Sequence, residues 1–328
     1  MSAERRTGIL QNPALQQGLG LFVVFIAIVV ALALLSPFFL RPDNLVNLVL
    51  ASSTIGIVAM FTTMLMIGGG LDLSVGATAA LVGVVIAHTQ DALGIWGAVA
   101  LGLGVGLLVG FTNGIFVTRV GINPLITTLA MLGITRGLAF VISGGLTTPV
   151  SNQEFGVIGR GFLGPLPNPV VLFLVITLLA FFIMRFTTYG RAMYSIGGNA
   201  TASFLAGLPV KRYQLIAFTL SGFSAALAGV LLTSRLAAGA PQAAAFLELS
   251  VIAAVVLGGT SLAGGKGGIF GTLIGVLILG PLNNGMTLLS VSSYYQQIAQ
   301  GLVLLIAVGL DQIRIGNIGR RAEKHKTA

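Results

Sequence analysis

The chain has 328 residues, of which 17 are lysine or arginine and 8 are aspartate or glutamate, so that 8% of the sequence is charged. A soluble protein carries roughly 25% charged residues, and a chain with 55% hydrophobic residues and 46 glycines has too few polar side chains to cover a water-exposed surface. This composition excludes a soluble enzyme and a disordered tail, the lack of cysteine excludes a disulfide-built scaffold, and an all-α, polytopic membrane protein is predicted.

Apolar stretches of about 20 residues with few charges predict about ten transmembrane helices. The first run follows Glu4-Arg5-Arg6, and we expect it to be an uncleaved span, with a cleaved signal peptide as the alternative. The predicted organisation is a tail over 1–18, one transmembrane domain over 19–313 and a basic tail over 314–328. In chain order the predicted spans are 19–36, 45–67, 73–90, 94–118, 123–142, 169–186, 213–234, 247–264, 268–288 and 296–313.

The positive residues lie in short loops between the apolar runs and not along one amphipathic face, so the net charge of +9 does not indicate nucleic-acid binding. With the N-terminus inside, 13 of the 17 lysines and arginines fall on the cytoplasmic side. Three fall outside (Arg41, Arg160 and Arg235), and Arg136 falls within a span. The distribution therefore predicts that both termini are cytoplasmic.

Two connections are longer than a turn. Residues 143–168 are rich in proline and glycine and predict an irregular outside loop, whereas residues 187–212 form the only sizeable cytoplasmic loop. Asn199 is suited to cap a short helix over Ala200–Ala206, which Gly207 and Pro209 would end. We therefore predict a surface helix in this loop, with a plain connector as the alternative.

Three charged residues lie at or within predicted spans. Asp72, in the glycine-rich segment 68–76, is interpreted as a cap of the next helix or as part of a broken helix that lines a substrate path. Arg136 either lines a cavity, pairs with an acid such as Glu248, or extends to the outer interface. Glu248 lies in the first turn of a helix, where an acid already has a structural explanation.

Nucleotide and metal chemistry are not indicated in this chain. The segment 264–268 lacks the serine or threonine that follows the lysine of a phosphate-binding loop, and His88 and His325 have no ligand spacing. We expect no cofactor in this chain. Glycines four residues apart predict close helix packing and not chemistry: Gly102, Gly106, Gly110, Gly271 and Gly275.

Four segments, in order and spacing, resemble the ribose/xylose/arabinose-type permeases of ABC sugar importers. The segment 69–76 reads Gly-Gly-Leu-Asp-Leu-Ser-Val-Gly, with leucine at 71 where isoleucine is commoner. The other three are Asn123–Leu129 with Arg136-Gly137, 196–200 with Ala206-Gly207, and 248–280 with Val-Val-Leu-Gly-Gly-Thr-Ser-Leu at its centre. Leu208 is a further departure, since the family often has isoleucine there. The resemblance covers about 45–315.

The resemblance implies a permease subunit of the bacterial inner membrane without chemistry of its own. A periplasmic binding protein would deliver a monosaccharide or related polyol, and ATP-binding cassette subunits would bind ATP and Mg²⁺. These subunits would dock beneath two permeases, the second copy being identical or paralogous. The family's coupling segment maps onto 197–207, with Gly197, Gly198, Asn199, Ala200, Ala202, Ala206 and Gly207 as the candidate contacts.

Because neutral sugars need hydrogen-bonding groups, the candidates for the pathway or its gate are polar or charged residues of the same segments. An ion-coupled secondary transporter is the alternative, with Asp72 and Glu248 as carriers of a proton or sodium ion. A membrane-embedded enzyme is not indicated, since no cluster of histidines or acids has catalytic spacing. The pathway candidates are Asp72, Ser74, Asn123, Arg136, Glu248 and Thr260.

Overall fold

Six helices are long and apolar enough to cross a membrane in the part of the chain that the structure describes. The structure is a computed structural model, and it describes residues 13–306, 308 and 309. The predicted tail 314–328 lies outside these residues, as does 1–12 of the predicted tail 1–18. The six helices are Pro42–Ile67, Val75–Val120, Pro124–Ser143, Asn168–Phe186, Val210–Leu236 and Ile269–Leu288.

Shorter helices complete the bundle, and each apolar segment predicted above overlaps a helix. The first helix begins at Pro13, inside the predicted tail 1–18. Residues 293–306, 308 and 309 are also helical and are named α12. In chain order the others are α1 (Pro13–Leu35), α2 (Pro42–Ile67), α3 (Val75–Ile115), α4 (Pro124–Ser143), α5 (Gly156–Arg160), α6 (Asn168–Phe186), α7 (Thr188–Gly198), α8 (Ala200–Leu205), α9 (Val210–Leu236), α10 (Leu247–Leu257) and α11 (Ile269–Leu288).

Helix α3 consists of two helices that fold back on each other at Gly94. Gly94 has φ 67° and ψ 164°, a conformation that is open to glycine because it has no Cβ. Gly102 in the second half lies against Val82 and Ile86 in the first half, so the halves pack side by side and antiparallel. An unbroken helix of 41 residues would be about 60 Å long, twice the thickness of the bilayer core.

The loop 143–168 is more ordered than its proline and glycine content predicts. It contains α5, and Thr148–Pro149 pairs antiparallel with Ala238–Gly239. A second pair of two-residue strands, Phe162–Leu163 and Leu166–Pro167, forms a small hairpin. The Gln90 side chain anchors the loop to α3, because it donates to the carbonyl of Pro149 and accepts from the N–H of Ser151, both at 3.2 Å.

The core is centred on α9, which packs against both halves of α3 and against α2. A Cβ at Gly222 of α9 would overlap the backbone of Gly106 and Gly110 of α3, and Gly106 lies against Ala226. Small residues allow helix backbones to approach this closely. The predicted packing role of Gly106 and Gly110 is confirmed.

The second predicted glycine pair packs α11 against α10. A Cβ at Gly275 would overlap the carbonyl oxygen of Ala254, and one at Gly271 would overlap that of Gly258. The two helices are therefore in backbone contact, and the packing role of Gly271 and Gly275 is also confirmed.

We predict that Gly110→Val destabilises the protein, whereas Gly104→Val on the same helix does not. A Cβ at Gly110 meets the backbone of Phe218 and Gly222, while one at Gly104 meets nothing within 4 Å. Overpacking of this kind costs about 1–3 kcal/mol. The thermal unfolding midpoint of the detergent-purified variants measures the effect, and equal midpoints would contradict the packing described here.

Candidate functional site

Asp72 is 1% exposed, in the loop between α2 and α3. Its Oδ1 accepts hydrogen bonds from the backbone N–H and the hydroxyl of Ser74, at 2.9 and 2.6 Å, and its Oδ2 accepts from the Ser221 hydroxyl of α9 at 2.9 Å. Asn113, in the second half of α3, donates to Ser74 Oγ at 3.0 Å and lies 3.5 Å from Oδ1. The carboxylate thus joins the loop, α3 and α9.

The prediction that Asp72 caps the next helix is wrong. Helix α3 begins at Val75 with Ser74 as its N-cap residue, and Asp72 Oδ1 accepts from the N–H of Ser74 itself and not from the free N–H groups of the first turn. Burial raises the pKa of the Asp72 carboxyl, and the hydrogen bonds from Ser74, Ser221 and Asn113 oppose this. Asp72 therefore serves as a hydrogen-bond acceptor between buried elements.

Arg136 holds the segment 237–246, here named the strap, which links α9 to α10. Its Nη1 donates to the carbonyl oxygens of Pro241 at 2.6 Å and Ala243 at 2.9 Å. Glu248 Oε2 is buried without a hydrogen-bond partner, next to Gly76. Arg136 and Glu248 interact through charge, but no hydrogen bond joins them in the described part of the chain. The strap carbonyls therefore supply the hydrogen bonds of Arg136, and Glu248 acts on it through charge alone.

The other pathway candidates lie apart from one another. Asn123 is exposed and caps α4, since its Oδ1 accepts from the N–H of Leu125 at 2.9 Å. Thr260 is buried, and its Oγ1 lies against Gly267 without a hydrogen-bond partner. Neither residue lines the two polar cavities described next.

A cavity of about 590 Å³ lies between the first turns of α2 and α12 and the last turns of α9 and α11. We name it the amide cavity, because six of its lining residues are asparagine or glutamine. A second cavity of about 230 Å³ shares Arg235, Asn283 and Gln300 with it and extends to Leu247 and Ser250 of α10. The polar lining of the amide cavity comprises Asn44, Asn47, Ser52, Arg235, Asn283, Asn284, Thr287, Gln296 and Gln300.

Some of these amides bond to each other. Asn44 and Asn284 form a reciprocal pair, with N–O distances of 2.9 and 2.8 Å, which ties α2 to α11. Gln300 donates to Asn283 Oδ1 at 3.3 Å. Sequence reasoning missed the cavity, since its residues come from four separate segments. The adjacent asparagines 283 and 284, within an otherwise apolar helix, were the available signal.

The predicted short helix after Asn199 is confirmed as α8. Asn199 Oδ1 accepts from the N–H of Ala202 at 2.9 Å, and the helix gives way to Gly207, whose φ is 85°. The helix ends at Leu205, one residue before the predicted Ala206. Phe204 and Leu205 at its tip are 67% and 79% exposed.

Gly197 connects this surface helix to the bundle. A Cβ at Gly197 would overlap the carbonyl oxygen of Ile67, at the end of α2, and the backbone nitrogen of Gly265. Gly265 also donates to Ile67 O at 2.9 Å. Gly197 thus faces the bundle, whereas the remaining coupling candidates are exposed: Gly198, Asn199, Ala200, Ala202, Ala206 and Gly207.

The amide cavity and α8 lie at opposite ends of the molecule. Helix α2 runs from Asn44, which lines the cavity, to Ile67, which contacts Gly197 beside α8. At 1.5 Å per residue these ends are about 35 Å apart, the thickness of a bilayer core. This arrangement, a polar cavity at one end of an apolar helix bundle, is typical of multi-pass membrane proteins of the transport class.

Comparison with known proteins agrees with this class. Residues 44–308 match the family model for the permease component of the branched-chain amino acid transport system, and the chain belongs to this permease family. No solved structure gives a significant match.

Named relatives cover almost the whole chain. The chain is 41% identical over 303 residues to the ribose import permease protein RbsC of Bacillus subtilis, which covers 90% of this chain and 93% of the relative. It is 41% identical over 314 residues to the L-arabinose ABC transporter permease protein AraH of Azospirillum brasilense, which covers 93% of this chain and 90% of the relative. The RbsC of Escherichia coli K12 is also 41% identical, over 301 residues. The resemblance to sugar importer permeases is confirmed.

We predict that Asp72→Ala lowers stability, because the buried donors on Ser74, Ser221 and Asn113 lose their acceptor. An unsatisfied buried group costs about 1–3 kcal/mol. The thermal midpoint in detergent measures the loss, and Asp91→Ala is the control, since Asp91 is exposed. An unchanged midpoint with lost transport would contradict this role and place Asp72 in the transport path.

Proposed function

We propose that this chain is the membrane-spanning permease subunit of an ATP-driven importer, which carries a ribose-like monosaccharide or related polyol across the bacterial inner membrane. The observation that carries the proposal is the 41% identity, over at least nine-tenths of the chain, to a ribose import permease and to an arabinose ABC transporter permease. The buried acceptor role of Asp72 also supports it. This carboxylate accepts hydrogen bonds from Ser74 and Ser221, so the protein itself supplies its partners.

We infer ten membrane crossings with both termini in the cytoplasm. Division of α3 at Gly94 turns the six candidate spans into seven, and α1, α10 and α12 supply three more. Helix α10 has 11 residues and is about 16 Å long, so the irregular segment 258–268 completes its crossing inside the protein, where non-helical backbone is tolerated. The excess of lysine and arginine in the inside loops supports this orientation.

The exposed end of α8 is the proposed docking point for the ATPase subunit. Phe204 and Leu205 project from it, and Gly197 rests on the end of α2. An apolar tip of this kind fits a groove on a partner, and the partner supplies the sites for ATP and Mg²⁺. A periplasmic binding protein delivers the sugar at the opposite end, beside the amide cavity. A second permease copy completes the assembly.

Uptake of radiolabelled D-ribose into proteoliposomes that contain the chain with its ATPase and binding protein tests this function. We expect uptake to require ATP and the ATPase, and to persist when a protonophore removes the ion gradient. Full uptake without the ATPase, or collapse with the protonophore, would contradict ATP coupling.

We predict that Ala202→Asp separates ATP hydrolysis from transport. The substitution places a charge on the exposed face of α8, whereas Ala92→Asp places the same charge on an exposed position beside the Gly94 turn and serves as the control. We expect D-ribose uptake to fall about tenfold in Ala202→Asp, the equivalent of one lost favourable contact, with unchanged amounts in the membrane. Normal ATPase docking and uptake in this variant would refute the role of α8.

A further inference from the structure

We propose that the amide cavity binds the neutral, polyhydroxylated solute during its passage, with Asn47, Arg235 and Gln300 as its contacts. This inference rests on the proposed function and assigns a place and a chemistry to it. The three residues come from α2, α9 and α12, so that the solute would be held between helices that the sequence separates widely.

The chemistry of the lining suits a hydroxyl-bearing solute and offers no acid to a cationic group. Asparagine and glutamine each present donors and an acceptor, as a sugar hydroxyl does. No aspartate or glutamate lines either cavity within residues 13–306, so the ammonium group of an amino acid would have no ionic partner there. The description of the family model refers to branched-chain amino acid transport. The lining of this cavity, in contrast, is suited to polyols.

Free hydrogen-bonding capacity is present at two of the three contacts. In the described part of the chain, no hydrogen bond or ion pair engages the Asn47 amide, which is exposed, or the Arg235 guanidinium, which is half-buried. Arg235 lines both cavities, so its guanidinium donors are available to a solute there. The cavity volume of about 590 Å³ lies within the range of small-molecule sites, about 300–1,000 Å³.

Helix-to-helix bonding does not account for Asn47 and Arg235, whereas Gln300 also donates to Asn283 of α11 at 3.3 Å. Asn44 and Asn284 bond to each other across α2 and α11, as polar residues do when they hold membrane helices together. Asn47 and Arg235 lack such a bond, so their replacement removes no hydrogen bond between helices of the described chain. A structural role and a solute-binding role therefore predict different outcomes for the same variants.

The test uses the complete importer in proteoliposomes, supplied with D-ribose, L-arabinose or L-leucine as the transported probe. The variants are Asn47→Ala, Arg235→Gln and Gln300→Ala. Gln297→Ala is the matched control, since Gln297 lies on the same helix as Gln300, is exposed and does not line the cavity. ATP hydrolysis stimulated by the binding protein and the thermal midpoint are measured in parallel.

We expect each cavity variant to lower uptake of D-ribose about tenfold, as for the loss of one hydrogen bond to the solute. Stimulated ATP hydrolysis should equal that of the wild type, the thermal midpoint should be unchanged in Asn47→Ala and Arg235→Gln, and Gln297→Ala should transport normally. Wild-type uptake in all three cavity variants would overturn the inference, as would a loss of uptake that follows a loss of thermal stability. Faster uptake of L-leucine than of either sugar would overturn the solute class.

A second measurement uses the absence of cysteine from the chain. Asn47→Cys and Gln297→Cys are labelled with a polar thiol reagent, with and without the sugar-loaded binding protein and vanadate. We expect the sugar to slow labelling at position 47 alone, and equal labelling with and without sugar would overturn the inference. If the wild-type importer moves no sugar at all, the proposed function itself fails, which separates that failure from a failure of the cavity assignment.

Discussion

The approach of α9 to α3 at backbone distance is the constraint on which the rest of the structure depends. Gly229 of α9 lies against Ala79 in the first half of α3, and Gly222 lies against Gly106 in the second half. Contact this close places Ser221, the neighbour of Gly222, within 2.9 Å of Asp72. It also fixes the last turn of α9, and with it Arg235, beside the amide cavity. A larger side chain at Gly222 or Gly229 would move α9 away from α3. It would also move Ser221 away from Asp72 and Arg235 away from the amide cavity.

The two ends of the molecule share helices, and this provides a physical basis for coupling between them. Helices α2, α9 and α11 line the amide cavity at one end. At the other end, α2 finishes at Gly68, whose carbonyl accepts a hydrogen bond from Gln214 in the first turns of α9. Tyr194 of α7 donates to Gly267, just before α11. Because packed helices move as rigid elements, a tilt at the α7–α8 end displaces the cavity walls too.

Much of the helix pattern could be predicted from the sequence, because uncharged stretches and their breakers reflect the bilayer directly. The gap between the predicted spans 73–90 and 94–118 ends at Gly94, where α3 is broken. Asn199 indicated the short helix α8 that follows it. Long-range contacts could not be predicted. Asp72 was interpreted as a local cap or as part of a broken helix, whereas two of its partners, Asn113 and Ser221, lie 41 and 149 residues away. The Asn44–Asn284 pair spans 240 residues, a distance over which periodicity carries no information.

The fold at Gly94 has a consequence for the order in which the protein assembles during synthesis. The two halves of α3 are adjacent in sequence, so the cost in chain entropy of bringing them together is small. Their contact can form as soon as residue 115 has been made. Helix α9 follows almost a hundred residues later, and until then Asp72 lacks its Ser221 donor. The nascent hairpin therefore carries a carboxylate that gains its full set of hydrogen bonds only when α9 arrives.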